Sequence, residues 1–336
     1  MDWLALGIKL IVIAILVPTS ALVAGFAFLK LLAHMQSRVG PMEAGGGPRF
    51  HGWAQLVADG LKFMQKEDII PRNADRWVFA LAPGVVLMSV VLVFMTIPYG
   101  PSLNIVNLDA QIFVTLAVAS LGAIGVLMAG WSSANKYSAM GGFRAAGQLI
   151  AYELPLVLAV VGVVMMAGTL NLQEIVAGQG TFYIPGTSFP IPYVVPQIVG
   201  FFIFFVASQA ELSQAPFDMP FAESELVSGY ATEYSGFRYL FFFISEFASN
   251  VALAAIAATL FLGGYWLPWV PESVLEVAGP FVLAAKTAIL VFGFLWIRST
   301  YPRLREDQLQ RFAWVFLIPL ALVNIALTGV FKVVFS

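Results

Sequence analysis

The sequence predicts an all-α polytopic membrane protein, a single domain over residues 1–336. We expect eight transmembrane helices and one amphipathic interfacial helix in the first cytoplasmic loop. Of the 336 residues, 60% are hydrophobic and 11% are charged, whereas a soluble domain carries about a quarter charged residues. The mean hydropathy is +0.87, and the apolar residues gather in long runs, which is typical of helices that cross a bilayer.

Eight segments approach the roughly 20 predominantly apolar residues that a helix needs to cross the hydrocarbon core. The first is long for one span, so we expect it to tilt or to project beyond the bilayer. The predicted spans are Leu4–Ala33, Trp77–Ile97, Ala110–Trp131, Ala145–Ala167, Tyr193–Ala210, Phe237–Leu262, Gly279–Ile297 and Phe312–Val334.

Basic residues predict the orientation of the chain. The connections after spans one, three, five and seven cover residues 35–76, 132–144, 211–236 and 298–311. Together with Arg238 at the start of span six, they hold thirteen of the 17 lysines and arginines. The positive-inside rule therefore predicts that these four loops are cytoplasmic and that both termini lie on the non-cytoplasmic side.

Composition excludes several kinds of site within this chain. There is no cysteine, so disulfides and thiolate ligands for zinc or iron–sulfur clusters are excluded. The two histidines, His34 and His51, lie near the first polar loop, which disfavours a haem held between spans. The net charge of −2 offers no basic surface for nucleic acid. Any redox centre is therefore expected in another subunit.

The first cytoplasmic loop carries a helical pattern over residues 52–66. Its apolar stripe faces away from most of its polar residues, which suits a helix in the interface plane, although a helix that simply caps the bundle fits as well. The glycine-rich stretch before it lacks the Gly-Lys-Ser/Thr ending of a phosphate-binding loop. The stripe comprises Trp53, Leu56, Val57, Leu61 and Met64.

Acidic residues gather in and around the third cytoplasmic loop. Six acids stand between positions 211 and 246 against a single arginine, and Glu153 lies within span four. Buried acids usually face a cavity or a partner, and burial raises a carboxyl pKa towards neutrality, so the cluster favours a proton relay over isolated structural hydrogen bonds. The six are Glu211, Asp218, Glu223, Glu225, Glu233 and Glu246.

Three groups of motifs resemble one family, the H-type membrane subunits of respiratory complex I, the NADH–quinone oxidoreductase. The resemblance covers nearly the whole chain. The motifs are Gln36-Ser-Arg-Val-Gly-Pro41 with Ala54-Gln-Leu-Val-Ala-Asp-Gly-Leu-Lys62; Gly130-Trp-Ser-Ser-Ala-Asn-Lys-Tyr137 with Arg144-Ala-Ala-Gly-Gln-Leu-Ile-Ala-Tyr-Glu153; and Ala215-Pro-Phe-Asp-Met-Pro220 with Glu223-Ser-Glu-Leu-Val-Ser-Gly229 and Thr232-Glu-Tyr-Ser-Gly236.

The resemblance implies a non-redox subunit that forms the membrane wall of a quinone chamber and begins a carboxylate path. The implied chamber residues are Arg38, Gly40, Pro41, Gln55, Asp59, Lys62, Phe217, Asp218 and Arg238. The implied proton relay comprises Glu153, Glu211, Glu223, Glu225 and Glu246.

The resemblance also implies partners and a location. Quinone is the expected substrate, and iron–sulfur clusters and flavin are expected in partner subunits and not in this chain. The expected partners are the peripheral-arm redox subunits, small and antiporter-like membrane subunits, and the lipid bilayer. The chain is then an integral protein of a bacterial inner or plasma membrane.

The sequence departs from the family pattern at positions that are usually charged. Phe28 stands in place of a glutamate, Gln214 in place of an arginine and Phe221 in place of another glutamate. These departures keep an alternative open: the anchor of a complex I-like enzyme or membrane-bound hydrogenase with another electron donor. A stand-alone secondary transporter is the weaker alternative, because the two halves show no internal repeat.

Overall fold

A computed structural model describes residues 3–45, 51–182, 190–268 and 270–335. Within these ranges the fold is all-helical, as predicted, and contains no strand; Arg49 of the basic loops lies outside them. The helices are α1 (Trp3–Met35), α2 (Gln55–Gln65), α3 (Arg76–Thr96), α4 (Gln111–Ala119), α5 (Leu121–Ser132), α6 (Lys136–Ala167), α7 (Leu172–Thr181), α8 (Ile198–Glu211), α9 (Glu223–Leu226), α10 (Gly236–Phe261), α11 (Glu272–Thr300), α12 (Glu306–Arg311) and α13 (Ile318–Phe335).

Seven helical segments in the described ranges are long and apolar enough to cross a membrane. They correspond to predicted spans one to four and six to eight. Several helices run past the predicted bounds, because hydropathy marks the apolar stretch and not the end of the helix. Thus α6 begins at Lys136, inside the predicted second cytoplasmic loop, where the side chain of Asn135 accepts a hydrogen bond from the Tyr137 N–H.

The fifth predicted span, Tyr193–Ala210, is a shorter apolar helix. α8 has 14 residues, which extend about 21 Å at 1.5 Å per residue, against a hydrocarbon core of roughly 30 Å. Residues 193–197 form turns before it, where Pro196 has no N–H to donate. In the part of the chain that is described, the structure therefore supports seven full-length spans, and the predicted count of eight is not reached.

α10 lies at the centre of the bundle and contacts α1, α3 and α11. Most of its second half is buried, including Ala254, Ala257 and Phe261. Lys286 of α11 closes the carboxyl end of this helix. Its ammonium group donates hydrogen bonds to the backbone oxygens of Leu262, Gly264 and Trp266, at 2.7, 2.9 and 2.6 Å. A cation there complements the negative end of the helix dipole.

α2 lies in the first loop and covers four of the five residues of the predicted stripe, whereas Trp53 precedes it. Leu56 is buried, and its Cδ1 lies 2.9 Å from where a Cβ on Gly25 of α1 would stand. The other stripe residues remain exposed: Trp53, Val57, Leu61 and Met64. α2 is thus fixed to the bundle through Leu56 and presents the rest of its apolar stripe outwards.

α6 approaches the backbone of the segment between α8 and α10 very closely. We refer to residues 212–235 as the acidic loop. A Cβ on Gly141 would lie 2.6 Å from the backbone nitrogen of Tyr230 and 2.8 Å from Gly229. Ser138 of the same helix donates a hydrogen bond to the Tyr230 carbonyl at 3.0 Å. Glycine at position 141 is therefore what allows the loop to pack on α6.

Gly141→Ala tests this close approach. The added methyl group meets backbone atoms, which cannot rotate away, so we expect a loss of about 1–3 kcal/mol in the free energy of unfolding. The measurement is thermal unfolding of the chain in detergent.

Gly84→Ala is the matched control, because a Cβ on Gly84 of α3 meets nothing within 4 Å. It should unfold at or slightly above the temperature of the unaltered chain. Equal unfolding temperatures for both variants would show that the loop does not depend on the contact at Gly141.

Candidate functional site

Glu211, the last residue of α8, lines two spaces between the helices. The main cavity has a volume of about 110 Å³ and the small void about 20 Å³. Since one water needs roughly 10–15 Å³, the main cavity can hold several waters and the small void one. The polar lining of the main cavity is Ser89, Glu211, Ser213, Tyr230, Ser245, Glu246 and Ser249. That of the small void is Thr115, Ser120, Glu153 and Glu211.

Glu211 is the carboxylate that both spaces share. Its Oε2 is buried and accepts no hydrogen bond from the described residues. Leaving a buried polar atom without a partner is costly, so the water that the adjoining spaces can hold is the partner that the geometry offers. Glu246 also lines the main cavity and Glu153 the small void, so each space has Glu211 and one other predicted relay residue in its lining.

Glu246 of α10 is paired with an arginine of α11. Its Oε1 lies 2.8 Å from an Arg298 nitrogen and also accepts a hydrogen bond from Gln214 at 3.3 Å. Both side chains of the ion pair are about one-fifth exposed. A pair held at this depth contributes little net stability, whereas removal of one partner leaves an uncompensated charge.

Two aromatic rings lie against the Arg298 guanidinium. Its Cζ lies 4.3 Å from the ring centre of Phe28 on α1 and 5.6 Å from that of Phe247 on α10. The two rings also contact each other, with centres 6.0 Å apart. Phe28, one of the departures from the family pattern, therefore interacts with this arginine as a cation–π partner. Gln214, the second departure, binds the carboxylate of the same ion pair.

Phe221, the third departure, lines the main cavity. Its ring centre lies 5.0 Å from that of Tyr230, and burial raises the pKa of the Tyr230 hydroxyl. The tyrosine therefore stays protonated and can donate to the cavity. Phe28 and Gln214 thus contact the Arg298–Glu246 ion pair, and Phe221 lines the cavity that Glu246 also lines.

Asp218 lies beside the same ion pair, on the acidic loop. Burial raises the pKa of its carboxyl, and Arg303 and Arg298 act in the opposite direction. The negative charge of Glu246 adds to the rise. The Asp218 Oδ1 is buried and accepts no hydrogen bond from the described part of the chain. Two carboxylates and two guanidinium groups thus share one partly satisfied cluster.

Glu225 has a different environment. Its carboxylate binds Arg144 of α6 at 2.6 Å and Arg303 at 3.2 Å, and its side chain is 49% exposed. The hydrogen bond from Arg144 lowers its pKa. Arg144 also lies 3.5 Å from Glu306 of α12. This network ties the acidic loop to two neighbouring elements. Glu223 begins α9, but its side chain lies outside what the structure describes.

Of the chamber residues predicted in the first loop, two are exposed, Arg38 and Lys62, and four are half-buried, Gly40, Pro41, Gln55 and Asp59. The Lys30 ammonium donates hydrogen bonds to the backbone oxygens of Val39, at 3.5 Å, and Pro41, and so fixes the turn at Gly40, whose φ is +72°. On α2, Gln55 and Lys62 both bind the Asp59 carboxylate; these contacts are 3.3 and 3.4 Å long.

Arg238 and Phe217 each contact a neighbouring part of the chain. Arg238 pairs with Asp68 at 2.7 Å and lies 5.8 Å from the ring centre of Phe79, which joins the first loop to the start of α10. Phe217 is buried, with its ring 5.3 Å from that of Tyr152. Of the predicted chamber residues, Asp218 is the one that lies beside the Glu246 ion pair.

Sequence reasoning missed the cations of this site. Arg298 and Arg303 served as orientation signals, yet they balance Glu246, Asp218 and Glu225. Their pairing joins positions far apart in the chain, which no local spacing reveals. Arg144 stood within the second group of motifs quoted above, but its pairing with Glu225 could not be read from that motif. No group of three or more potential metal ligands occurs among the described residues.

Comparison with known proteins gives a consistent result. Residues 8–329 match the family model described as NADH dehydrogenase. The NADH-quinone oxidoreductase H subunit of Bacillus cytotoxicus is 45% identical over 307 residues, which cover 91% of this chain and 87% of the relative. The corresponding H subunits of Bacillus mycoides and Bacillus cereus strain Q1 are 45% and 44% identical over the same lengths.

The Glu225 ion pairs should stabilise the chain in a defined pH range. A lowered pKa means that this contribution is present above the ordinary value of 4.5 and is lost as the pH falls below it. Glu225→Gln should therefore lower the thermal unfolding temperature by about 1–3 °C at pH 7, and the difference should shrink below pH 4.5. Glu43→Gln, an exposed site, is the control. A constant difference down to about pH 3 would contradict the ion-pair assignment.

Proposed function

The chain belongs to the NADH dehydrogenase family, and on this premise we propose that it is the H-type membrane subunit of a proton-translocating NADH–quinone oxidoreductase. It carries no electrons itself. Partner subunits with flavin and iron–sulfur clusters pass two electrons from NADH to a quinone, which takes up two protons to give the quinol. This chain is an integral protein of a bacterial membrane, and we propose that its basic loops face the cytoplasm.

The observation that carries the proton path is that two largely apolar spaces, each with several polar side chains in its lining, share Glu211. We propose that protons pass between Glu246, Glu211 and Glu153 by way of the water that these two spaces can hold. A carboxyl next to water can accept and release a proton, and its buried, unpaired Oε2 favours this role over a structural hydrogen bond. Glu223 remains a candidate at the loop, whereas the arginine pairs of Glu225 favour a role in fixing the loop.

The proposed quinone chamber lies at the basic-loop end of α1, α2 and α10. Leu56 and Phe247 both face Gly25 of α1, and Phe28 continues this wall to the Arg298–Glu246 pair. An apolar wall with a charged cluster at its end suits a molecule with a hydrophobic tail and a polar head. We also propose that the chamber residues predicted in the first loop, on α2 and in the acidic loop contact the quinone or the peripheral arm.

We propose that the charges of this cluster couple proton uptake by the quinone to the proton path. When the reduced quinone draws protons near Asp218, the balance among Asp218, Glu246 and the two arginines changes. The Glu246 carboxylate and Arg298 then bind one another more weakly or more strongly, and this shift reaches Glu211 across the main cavity. The path would continue through Glu153 towards neighbouring antiporter-like membrane subunits, whose conformations it biases.

Neutralising variants test the proton path in the assembled complex. Glu211→Gln and Glu246→Gln keep the side-chain shape but cannot carry a proton as a carboxylate, and removal of a proton-transfer group costs about 10²–10⁴-fold. We expect proton translocation in proteoliposomes to fall at least about tenfold, with electron transfer reduced less. The measurement is the number of protons moved per electron.

Glu174→Gln is the control, because this glutamate lies on α7, with its carboxylate hydrogen-bonded to Thr169. It should pump at the full ratio. If both path variants assemble and also pump at the full ratio, the relay is not located here.

A photoreactive quinone distinguishes this function from a hydrogenase-like anchor without a quinone substrate. In the assembled complex we expect labelling within residues 35–76 and 211–238, lost when excess unlabelled quinone is present. Peptide mass spectrometry identifies the labelled segments. Absence of label in both segments would favour the alternative, which the neutral residues at positions 28, 214 and 221 make worth testing.

A further inference from the structure

Three side chains on α6 contact the acidic loop. Arg144, Gln148 and Tyr152 follow one another at intervals of four residues, so they lie on one face of the helix. Arg144 binds Glu225, and the ring of Tyr152 packs edge-on against Phe217. Gln148 lies between them and has no part in the proton path described above.

Gln148 joins the two ends of a turn. Its side chain is 1% exposed, and its Nε2 donates to the carbonyl of Ala210 at 2.7 Å and to that of Phe217 at 2.6 Å. An amide nitrogen carries two hydrogens, so both are used. Each accepting carbonyl belongs to the residue immediately before an acid, Glu211 in one case and Asp218 in the other.

Further contacts hold the same turn from other sides. Gln209 donates to the Ala215 carbonyl at 3.1 Å, and the Leu304 N–H donates to the Pro216 carbonyl at 2.9 Å. These contacts fix the middle of the turn. Gln148 is the side chain that fixes both of its ends, and its own Oε1 is buried without a partner in the described residues. The two donor hydrogens are therefore what the site requires of this residue.

We propose that Gln148 is a positioning residue for the proton path. It holds the 210–217 turn so that Glu211 faces the main cavity and the small void while Asp218 faces Arg298 and Arg303. The inference rests on the proposed function and adds to it a residue that touches neither quinone nor the moving proton. Without these two donor hydrogens both carboxylates remain, but Glu211 can turn away from the two spaces and Asp218 from Arg298 and Arg303.

Gln148→Met and Gln148→Glu test the role of the donors in the assembled complex. Methionine has a similar volume and no donor, so we expect coupled proton translocation to fall roughly tenfold, the equivalent of about one net hydrogen bond. The introduced carboxyl can donate one hydrogen when protonated and none when ionised. The Gln148→Glu variant should therefore regain coupling as the pH is lowered, and Gln148→Met should not.

Charged and titratable groups near position 148 are the same in both variants. They are Arg144 and Tyr152 on α6 and Glu211, Asp218 and Glu225 on the facing segment. The difference between the two pH profiles therefore reports the introduced carboxyl. Gln310→Met is the matched control, because Gln310 donates to the backbone of the adjacent Gly147 at 3.2 Å and not to the turn. It should pump at the full ratio.

The outcomes separate this inference from the proposed function. If Glu211→Gln loses pumping while assembled Gln148→Met pumps at the full ratio, the positioning role is wrong and the proton path stands. If both variants pump fully, the path itself is wrong. Should Gln148→Met fail to assemble, the pH profile of Gln148→Glu decides: a profile parallel to that of the unaltered complex overturns the inference.

Discussion

The structure depends on how carboxylates are accommodated between apolar helices. A buried charge must be paired, hydrated or neutralised, because the cost of leaving it alone exceeds what local packing supplies. The chain uses different solutions within one site. Glu246 is paired with Arg298, Asp218 is shared between two arginines, and Glu211 borders two spaces that can hold water. The arrangement of α8, α10 and α11 at this end of the bundle follows from these needs.

Phe28, Gln214 and Phe221 show how fewer charges can satisfy the same constraint. A carboxylate at position 28 would compete with Glu246 for Arg298, whereas the ring holds the guanidinium without a second negative charge. An arginine at position 214 would give Glu246 a second cation, whereas the glutamine amide supplies a neutral donor. Two carboxylates and one guanidinium are thus absent from these positions, and Glu246 keeps Arg298 as its cation.

The sequence predicted the parts of this structure that depend on local composition. Hydropathy located seven of the spans, and the helical stripe located α2. Hydropathy overestimated the length of the helix in the fifth span, because the apolar residues around Pro192 and Pro196 raise the mean hydropathy without forming a helix. The acids of the site were identified from their unusual position. Their partners were not, since Glu246 meets Arg298 and Glu225 meets Arg144 through tertiary packing that spacing along the chain does not encode.

The acidic loop is held by the membrane helices as well as by contacts of its own, such as that between the rings of Phe221 and Tyr230. Arg144, Gln148 and Tyr152 hold it from α6, and Asn135, which caps the same helix, donates to Glu233 at 2.5 Å. Arg303 and Leu304 hold it from the segment after α11. Because α6 is packed on α5 and α8, and α11 on α10, a change of charge in the loop acts on elements that belong to the helix bundle. A shift of the loop would therefore change its contacts with α6 and with the segment that follows α11.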